Sequence, residues 1–422
     1  MPWRLLTLLL AGQLLASMDA SILAVAMPVL QRELDAGPTM LQAIFAAYTF
    51  SFGVLVVTGA RLGDDRGHGN MFLAGLAGFT ASSLVCGLAP TPTVLLLGRL
   101  IQGATAALMT PQTLQVVQRR FRGQARAKAA GLYAMVLALG VLAGQLVGGV
   151  IVTAAGWRWA LLINVPAGTA LLLAARRELR AEPPGKGKPL DAPGVALLSA
   201  AMALILVPLL LGREQGWPAW VWPSVAAGLA GLGLFTRVER RRRAPLLDLT
   251  VLPQIGHGMI TVVGVMGAYA ALLFSLTLYL QDERRFTPLQ AGLAFAPYAA
   301  GFATLSLTAR RLPPLGPLGP LALGTCALLL AMPWSPMSEL LLLIAGAGHA
   351  AGYGPVVTRT VASVRPEHAP EASALLTTGS LLANALAVAT LGSLYFAGGL
   401  LAAAIGIAAV CAIAASSSSR LA

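Results

Sequence analysis

The chain alternates between long apolar runs and short polar turns from one end to the other. A helix needs about 20 mostly apolar residues to cross about 30 Å of hydrocarbon, and fourteen runs approach or exceed that length. The predicted spans are 5–28, 40–60, 71–89, 93–117, 129–154, 158–175, 193–212, 218–236, 256–281, 288–309, 316–333, 338–358, 371–395 and 397–415. This pattern predicts an all-α polytopic membrane protein with little sequence left for loops.

Positive charges fall on alternate turns between the predicted spans. If the N-terminus is cytoplasmic, 23 of the 29 Lys and Arg residues lie on the inner side, five lie outside, and Arg99 lies within a span. Membrane proteins show this asymmetry because Lys and Arg are retained in cytoplasmic loops. Six of the seven tryptophans fall at predicted outer ends, as in an interfacial belt. We therefore expect both termini in the cytoplasm and a multi-pass protein of a bacterial inner or plasma membrane.

The composition excludes two other classes of protein. Only 11% of the residues are charged and the mean hydropathy is +0.77, whereas soluble domains carry roughly a quarter charged residues. A soluble enzyme and a secreted disulfide scaffold are therefore ruled out. The net charge of +13 is explained by basic loops beside anionic lipid, so no nucleic-acid partner is expected.

Two long polar loops divide the predicted spans into groups of six, two and six. The loops lie near 176–192 and 237–253. The predicted organisation is a six-helix bundle over 1–175, an inserted helix pair with flanking cytoplasmic loops over 176–253, a second six-helix bundle over 254–415 and a disordered tail over 416–422. Transporters are commonly built from such repeats, with a substrate site between the halves near the midplane.

Two ionised side chains lie well inside predicted spans, where charge is expensive and typical of functional sites. At 1.5 Å per residue, Asp19 lies about 13 Å and Arg99 about 9 Å from the outer ends of the first and fourth spans. Opposite charges at similar depth predict a pair. One interpretation is a fixed ion pair that only orients the helices. The other is a proton-exchanging acid at Asp19, since burial favours a neutral carboxyl and a guanidinium favours a charged one.

Other polar and aromatic residues within the spans are candidates for substrate binding, although each also has an ordinary packing interpretation. Gln102 shares the helix face of Arg99 at i+3. His349 either titrates or is a neutral hydrogen-bonded residue, and the aromatic residues either stack on a ligand or pack in the core. The candidates are Gln13, Gln102, Gln112, Gln145, Tyr269, Phe274, Tyr298, His349, Tyr353 and Asn384.

A stripe of glycines predicts close helix packing in the fifth span. Gly140, Gly144 and Gly148 recur every four residues, with Gly149 beside them. Small residues at this spacing let a neighbouring backbone approach closely, either as a fixed contact or as a sliding seam in a conformational change. The sequence has no phosphate-binding loop, dinucleotide fingerprint, metal cluster or nucleophile elbow. We therefore expect no enzymatic activity, no metal and no cofactor.

Several stretches follow one another in the order and at the spacing of one family's motifs. They are MDASILAVAMP (18–28), GARLGDDRG (59–67), LLLGRLIQGATAALMTPQTL (95–114), GVLAGQLVGG (140–149), GWRWALLINVPAG (156–168), YLQ (279–281) and TPLQAGLAFAP (287–297). These resemble the major facilitator superfamily, specifically its fourteen-helix drug:proton antiporter branch. The resemblance implies two six-helix bundles with an inserted two-helix hairpin, and conformational roles for Gly63, Asp64 and Gly67 in the loop signature.

The chain also departs from this branch at several positions. Ala24 replaces the usual Asn of the first helix, and Gln145 replaces the Pro of the antiporter motif. Asp65, His68, Gly69 and Asn70 stand where the loop signature normally has an Arg and then a basic cluster. These changes predict weaker ionic contacts at the cytoplasmic face. The fifth helix also lacks the proline that bends it in this branch.

The resulting functional prediction is a monomeric, proton-driven exporter of hydrophobic or amphipathic drug-like compounds that works by alternating access. Because Asp19 and Arg99 sum to zero charge, neutral or monocationic substrates are favoured over dications. One alternative is a narrow-specificity carrier for a metabolite, acting as an exporter or an importer. Another is a transport-inactive membrane sensor or scaffold.

Overall fold

The computed structural model describes residues 2–179, 191–242, 245–308 and 316–421, and secondary structure within them is helical. Twelve helices in these ranges are long and apolar enough to cross a membrane. The end of the tenth predicted span at 309 lies outside the described residues. So do six of the predicted cytoplasmic charges, Arg180, Lys186, Lys188, Arg243, Arg310 and Arg311.

The helices follow the apolar runs of the sequence. The described α-helices are α1 (Pro2–Leu34), α2 (Pro38–Arg66), α3 (His68–Gly87), α4 (Pro92–Arg120), α5 (Gly123–Ala155), α6 (Trp157–Leu162), α7 (Asn164–Leu179), α8 (Ala192–Leu211), α9 (Val221–Glu239), α10 (Leu252–Leu278), α11 (Pro288–Ala294), α12 (Ala296–Thr308), α13 (Leu318–Leu329), α14 (Pro336–Ala362) and α15 (Ala369–Ser418). Short 3₁₀ turns cover Leu249–Val251, Pro366–His368 and Ser419–Leu421, and a π-helical turn covers Tyr279–Glu283.

The chain forms two compact units. Unit 1 comprises Met1–Asp191 and Phe286–Leu293, and unit 2 comprises Ala192–Arg285 and Ala294–Ala422. In unit 1, α1 packs on α5, while α4 packs on α2 and α3. In unit 2, α10 packs along α15, and α14 packs on α12 and α13. The pair α8 and α9, which the sequence predicts as an insertion, packs together within unit 2, where α8 also contacts α15.

The C-terminal part agrees with the prediction in one respect and differs from it in another. The last two predicted spans, 371–395 and 397–415, correspond to two helical segments of α15 that are separated by non-helical backbone at Gly398 and Gly399, and the φ of +68° at Gly399 favours glycine. Residues 416–421, predicted to be a disordered tail, instead remain helical. The reason is packing: Ser417 is buried and its hydroxyl donates to the carbonyl of His257 on α10 at 3.1 Å.

The predicted sixth span, 158–175, is divided into α6 and α7. A proline inside a helix has no N–H for the carbonyl four residues earlier, and Pro166 therefore leaves the carbonyl of Leu162 without its usual donor. α6 ends at Leu162 and α7 begins at Asn164. The break therefore falls at a buried polar residue, Asn164.

Candidate functional site

A fully buried carboxylate lies in the apolar helix α1. Asp19 accepts hydrogen bonds at both oxygens: Oδ2 from Arg99 Nη1 at 2.5 Å, and Oδ1 from Gln102 Nε2 at 3.0 Å and Asn164 Nδ2 at 2.7 Å. All four side chains are at most 1% exposed. An ionised carboxyl only accepts hydrogen bonds, so this arrangement suits the charged form of Asp19.

The partners of Asp19 are connected to one another. Arg99 Nη1 also donates to Gln102 Oε1 at 2.6 Å, and the Arg99 guanidinium carbon lies 4.6 Å from the ring centroid of Tyr48 on α2. Gln102 Nε2 donates to Ser83 Oγ on α3 at 2.8 Å. Five helices, α1, α2, α3, α4 and α7, therefore contribute to one buried polar cluster. In a low-dielectric interior such a network is strong when every member is paired.

Close helix packing beside this cluster depends on the glycine stripe of α5. A Cβ at Gly140 would meet Ser17, and a Cβ at Gly144 would overlap the Met18 carbonyl and Ser21 Oγ. Ser21 Oγ in turn donates to the Val141 carbonyl at 2.9 Å. Because Met18 and Ser21 flank Asp19 in α1, the position of the acid depends on this contact.

The other two glycines of the stripe pack on different partners. A Cβ at Gly148 would lie 2.9 Å from Ile22 of α1. A Cβ at Gly149 would lie 2.9 Å from Pro288 and from Leu289, both in the segment 286–293 of unit 1. The stripe therefore contacts α1 along one side and a second segment along the other.

Two glutamines proposed as substrate ligands lie along the contact between α1 and α5. Gln13 Nε2 donates to Ser17 Oγ at 3.4 Å, and Gln145 Nε2 donates to the Ser21 carbonyl at 3.5 Å. Both side chains are buried, and neither Oε1 atom has a hydrogen-bond partner among the described residues. Each therefore retains an acceptor for another group.

The turn between α2 and α3 forms a second polar cluster. Asp64 accepts from Arg119 Nη2 at 2.7 Å, and His68 Nε2 lies 3.4 Å from the same carboxylate oxygen. Gln112 lies here and not beside Asp19: its Nε2 donates to the Gly59 carbonyl at 2.7 Å, and its Oε1 lies 2.6 Å from His68 Nδ1. Arg119 thus pairs with the carboxylate of the loop signature, although Asp65, His68, Gly69 and Asn70 replace basic residues that the signature normally has.

Two glycines of the loop signature are needed for different steric reasons. A Cβ at Gly63 would overlap the Gln112 side chain and approach His68 Nδ1 at 2.6 Å. Gly67 has a φ of +91°, which a residue with a Cβ adopts only with strain, and it separates α2 from α3. Both glycines therefore shape the turn that presents Asp64.

Unit 2 contains an aromatic cluster around His349. Tyr298 OH and His349 Nδ1 are 2.8 Å apart, and His349 stacks on Tyr269 with ring centroids 4.7 Å apart. Phe302 and Tyr353 lie 4.8 Å and 6.2 Å from the His349 ring by centroid. His349 Nε2 has no hydrogen-bond partner among the described residues. The structure thus brings together four of the predicted ligands: Tyr269, Tyr298, His349 and Tyr353.

Two predicted ligands in unit 2 lie outside this ring cluster. Phe274 is buried and contacts the edge of Phe396, with centroids 6.1 Å apart. Asn384 is satisfied when its amide nitrogen faces the carbonyls of Met266 at 2.8 Å and Ser380 at 3.3 Å. Both contacts hold helices together. The described residues include no group of three or more His, Cys, Asp or Glu side chains placed to hold a metal ion.

Comparison with known sequences identifies the family of this chain. The sequence profile of the Major Facilitator Superfamily matches residues 9–388. The chain belongs to the major facilitator superfamily. It is therefore a multi-pass membrane transporter and not an enzyme, and the fold of two helical units is that of this superfamily.

Several curated relatives are named for the transport of an antibiotic or for resistance to one. The chain is 33% identical to the probable actinorhodin transporter of Streptomyces coelicolor, over 93% of this chain and 72% of that protein. It is 34% identical to the puromycin resistance protein pur8 of Streptomyces alboniger, over 92% and 81%. It is 36% identical to the cephamycin export protein CmcT of Amycolatopsis lactamdurans, over 70% and 62%.

Solved structures of the superfamily support the same fold. A POT family transporter in complex with a thioalcohol-conjugated peptide superposes with a TM-score of 0.73 at 14% identity, over 97% of this chain and 94% of that one. At this identity the likeness shows the fold alone.

Three members of the Asp19 cluster were not singled out as site residues from the sequence: Tyr48, Ser83 and Asn164. Tyr48 and Ser83 lie 29 and 64 positions after Asp19 in other helices, so no local spacing connects them to it. Asn164 is a polar residue within the predicted span 158–175. Its position two residues before Pro166 is the one local signal that could have marked it.

Proposed function

We propose that this chain is a proton-coupled exporter of drug-like compounds in which Asp19 carries the coupled proton. The observation that carries this proposal is the buried pair of Asp19 and Arg99, held by amide donors inside apolar helices. Intramembrane ionisable residues are rare and mark proton and substrate pathways. The antibiotic exporters among the relatives support the direction of transport and the class of compound.

In the proposed mechanism, Arg99 and the proton compete for Asp19. The inward proton gradient supplies about 1.4 kcal/mol per pH unit and about 2.3 kcal/mol per 100 mV for each charge moved. Protonation of Asp19 neutralises its attraction for Arg99, which frees the α1–α4 contact to rearrange during alternating access. Because the pair sums to zero charge, neutral and monocationic substrates are preferred over dications.

The proposed topology has fourteen crossings with both termini in the cytoplasm of a bacterium, in the inner membrane. It counts α15 as two crossings because the helix is interrupted at Gly398 and Gly399, and it counts the 12-residue α13 as a short crossing. The 23-to-5 distribution of Lys and Arg across the turns supports this orientation. We propose that the protein functions as a monomer and without a cofactor.

Substrate contacts are proposed at the aromatic cluster of unit 2 and at the amides of unit 1. Tyr269, Tyr298 and Tyr353 offer ring faces, and His349 Nε2 offers an unused polar atom. Apolar pockets with a few polar groups are typical of drug-binding sites. In unit 1, Gln13 and Gln145 each offer an unused acceptor.

A second proposal is an exporter of a single natural product. Two of the relatives are named for one compound each, actinorhodin and cephamycin. This version keeps the role of Asp19 and differs only in the range of substrates.

The test is proton-coupled transport in proteoliposomes under an imposed pH gradient, with a panel of neutral antibiotics and lipophilic cations. The panel includes actinorhodin, a cephamycin and puromycin, and the variants are Asp19→Asn and Glu367→Gln. Glu367 is an exposed carboxylate paired with Arg365 at 3.7 Å, so its loss controls for removal of a surface charge.

We expect substrate-evoked proton movement in the parent protein and in Glu367→Gln, and none in Asp19→Asn. Response to many compounds supports the drug exporter, and response to one compound supports the natural-product exporter. Proton movement that survives in Asp19→Asn would make Asp19 structural. Transport whose rate does not depend on the pH gradient would overturn the proposal of proton coupling.

A further inference from the structure

The two amides that donate to Asp19 Oδ1 differ in how firmly their orientation is fixed. Gln102 is fixed by four hydrogen bonds: its Oε1 accepts from Arg99 and from Cys86 Sγ, and its Nε2 donates to both Asp19 and Ser83. Rotating this amide by 180° would point its NH₂ group at the guanidinium N–H and its Oε1 at Asp19 Oδ1, so that a donor would face a donor and an acceptor an acceptor. Gln102 is therefore a permanent donor to Asp19.

Asn164 has no such constraint. Its Nδ2 donates to Asp19 Oδ1, while its Oδ1 is buried without a hydrogen-bond partner among the described residues. Rotation of the Asn164 amide therefore breaks no bond other than the one to Asp19. After rotation, Oδ1 occupies the place of Nδ2, 2.7 Å from Asp19 Oδ1. That distance suits an O–H···O hydrogen bond as well as an N–H···O bond.

A proton on Asp19 requires this second orientation. An ionised carboxyl accepts at both oxygens, but a protonated carboxyl must donate its O–H to an acceptor. Arg99 Nη1 and Gln102 Nε2 are donors and cannot receive it. Among the described residues, Asn164 is the hydrogen-bond partner of Asp19 whose amide can change from donor to acceptor, because its oxygen is unused.

The surroundings of Asp19 include few other groups that could take this role. α4 contributes Arg99, α2 contributes Tyr48 and α3 contributes Cys86, the titratable groups that interact electrostatically with Asp19. The charged side chains of α5 and α6 contact other groups: Arg126 donates to the Phe121 carbonyl, Lys128 lies over Trp3, and Arg158 pairs with Glu33.

We propose that Asn164 is a positioning residue whose amide rotates with the proton on Asp19, donating to the carboxylate and accepting from the carboxylic acid. This inference rests on the proposed role of Asp19 as the coupled acid. The break between α6 and α7 places Asn164 at the start of a helix, and its Nδ2 donates to Asp19 Oδ1. The rotation stabilises both protonation states of a buried acid, which is what a carrier needs if the proton is to be held and then released.

The experiment is infrared difference spectroscopy of the purified full chain, titrated with pH in H₂O and in D₂O. The Asp19 acid is identified as the carboxyl band that is absent in Asp19→Asn. Asn164→Leu preserves the shape of the side chain but neither donates nor accepts. Asn164→Ala is a smaller second variant in case leucine prevents folding, and Gln102→Leu removes the fixed donor as a matched control.

We expect the O–D stretch of the Asp19 acid to move to higher wavenumber in both Asn164 variants, because the acid loses its acceptor, and to stay in place in Gln102→Leu.

An O–D band that stays in place in both Asn164 variants would overturn the rotation and leave Asn164 as a fixed donor. The absence of any Asp19 acid band over the whole titration would instead overturn the proposed role of Asp19. The two failures are distinct because the spectrum reports the acid directly and needs no transported substrate.

Discussion

The two units bury polar side chains in opposite ways. In unit 1, Asp19 and Arg99 form a charged pair that is at most 1% exposed and is surrounded by amide groups. In unit 2, His349 bonds the neutral hydroxyl of Tyr298 and stacks on Tyr269. Removing one member of a buried ion pair leaves an uncompensated charge, whereas removing one member of a neutral pair leaves a single unpaired dipole. The proposed function accordingly assigns proton coupling to unit 1 and ring contacts with substrate to unit 2.

The largest effect should follow from breaking the charged pair. Arg99→Gln leaves Asp19 buried without its cation, which should cost about 3–5 kcal/mol of unfolding free energy. The double variant Asp19→Asn/Arg99→Gln should recover part of that loss because both charges are gone. Thermal unfolding in detergent measures both, and Arg99→Gln with the stability of the parent would contradict a charged pair.

A second prediction concerns the packing that holds Asp19 in place. Gly144→Ala puts a Cβ against the Met18 carbonyl and Ser21 Oγ, and overpacking of this kind costs about 1–3 kcal/mol. Gly131→Ala on the same helix is the matched control, because a Cβ there meets no atom of the described residues within 4 Å and alanine favours the helix. Thermal unfolding should separate the two variants. Equal stabilities would show that α1 and α5 are not in close contact.

The neutral cluster of unit 2 should respond more weakly. Tyr298→Phe removes the partner of His349 Nδ1, with an expected cost of about 1–2 kcal/mol. Substrate-evoked proton release should persist in this variant, while the apparent affinity for aromatic substrates changes. Transport assays at several substrate concentrations separate the two effects. Loss of proton release in Tyr298→Phe would place ion chemistry in unit 2.

The smallest effect on stability should come from the exposed ion pair of unit 1. Asp64 and Arg119 are 40% and 56% exposed in their side chains and lie 2.7 Å apart. Solvent screens such pairs, so Asp64→Asn should change the unfolding free energy by at most about 1 kcal/mol. A loss of unfolding free energy as large as that of Arg99→Gln would show that the exposed pair stabilises the protein as much as the buried pair does.

The sequence indicates those contacts that depend on residue spacing within one helix or on the depth of a residue within one span. Span depth alone suggested that Asp19 and Arg99 could meet, and the four-residue glycine spacing predicted a close helix contact, both of which the structure contains. The sequence does not indicate hydrogen-bond partners that depend on tertiary packing. Gln112 lies in the same helix, α4, as Gln102. Its side chain nevertheless contacts His68 of α3, which lies 44 positions away in the sequence.

The most direct test of the division between the units is proton release on substrate addition to purified protein in weakly buffered detergent solution. The substrate is one that the parent protein transports, and the variants are Asp19→Asn and His349→Gln. We predict that proton release disappears in Asp19→Asn and persists in His349→Gln. Release that persists in Asp19→Asn and disappears in His349→Gln would contradict the account and move the proton site to unit 2.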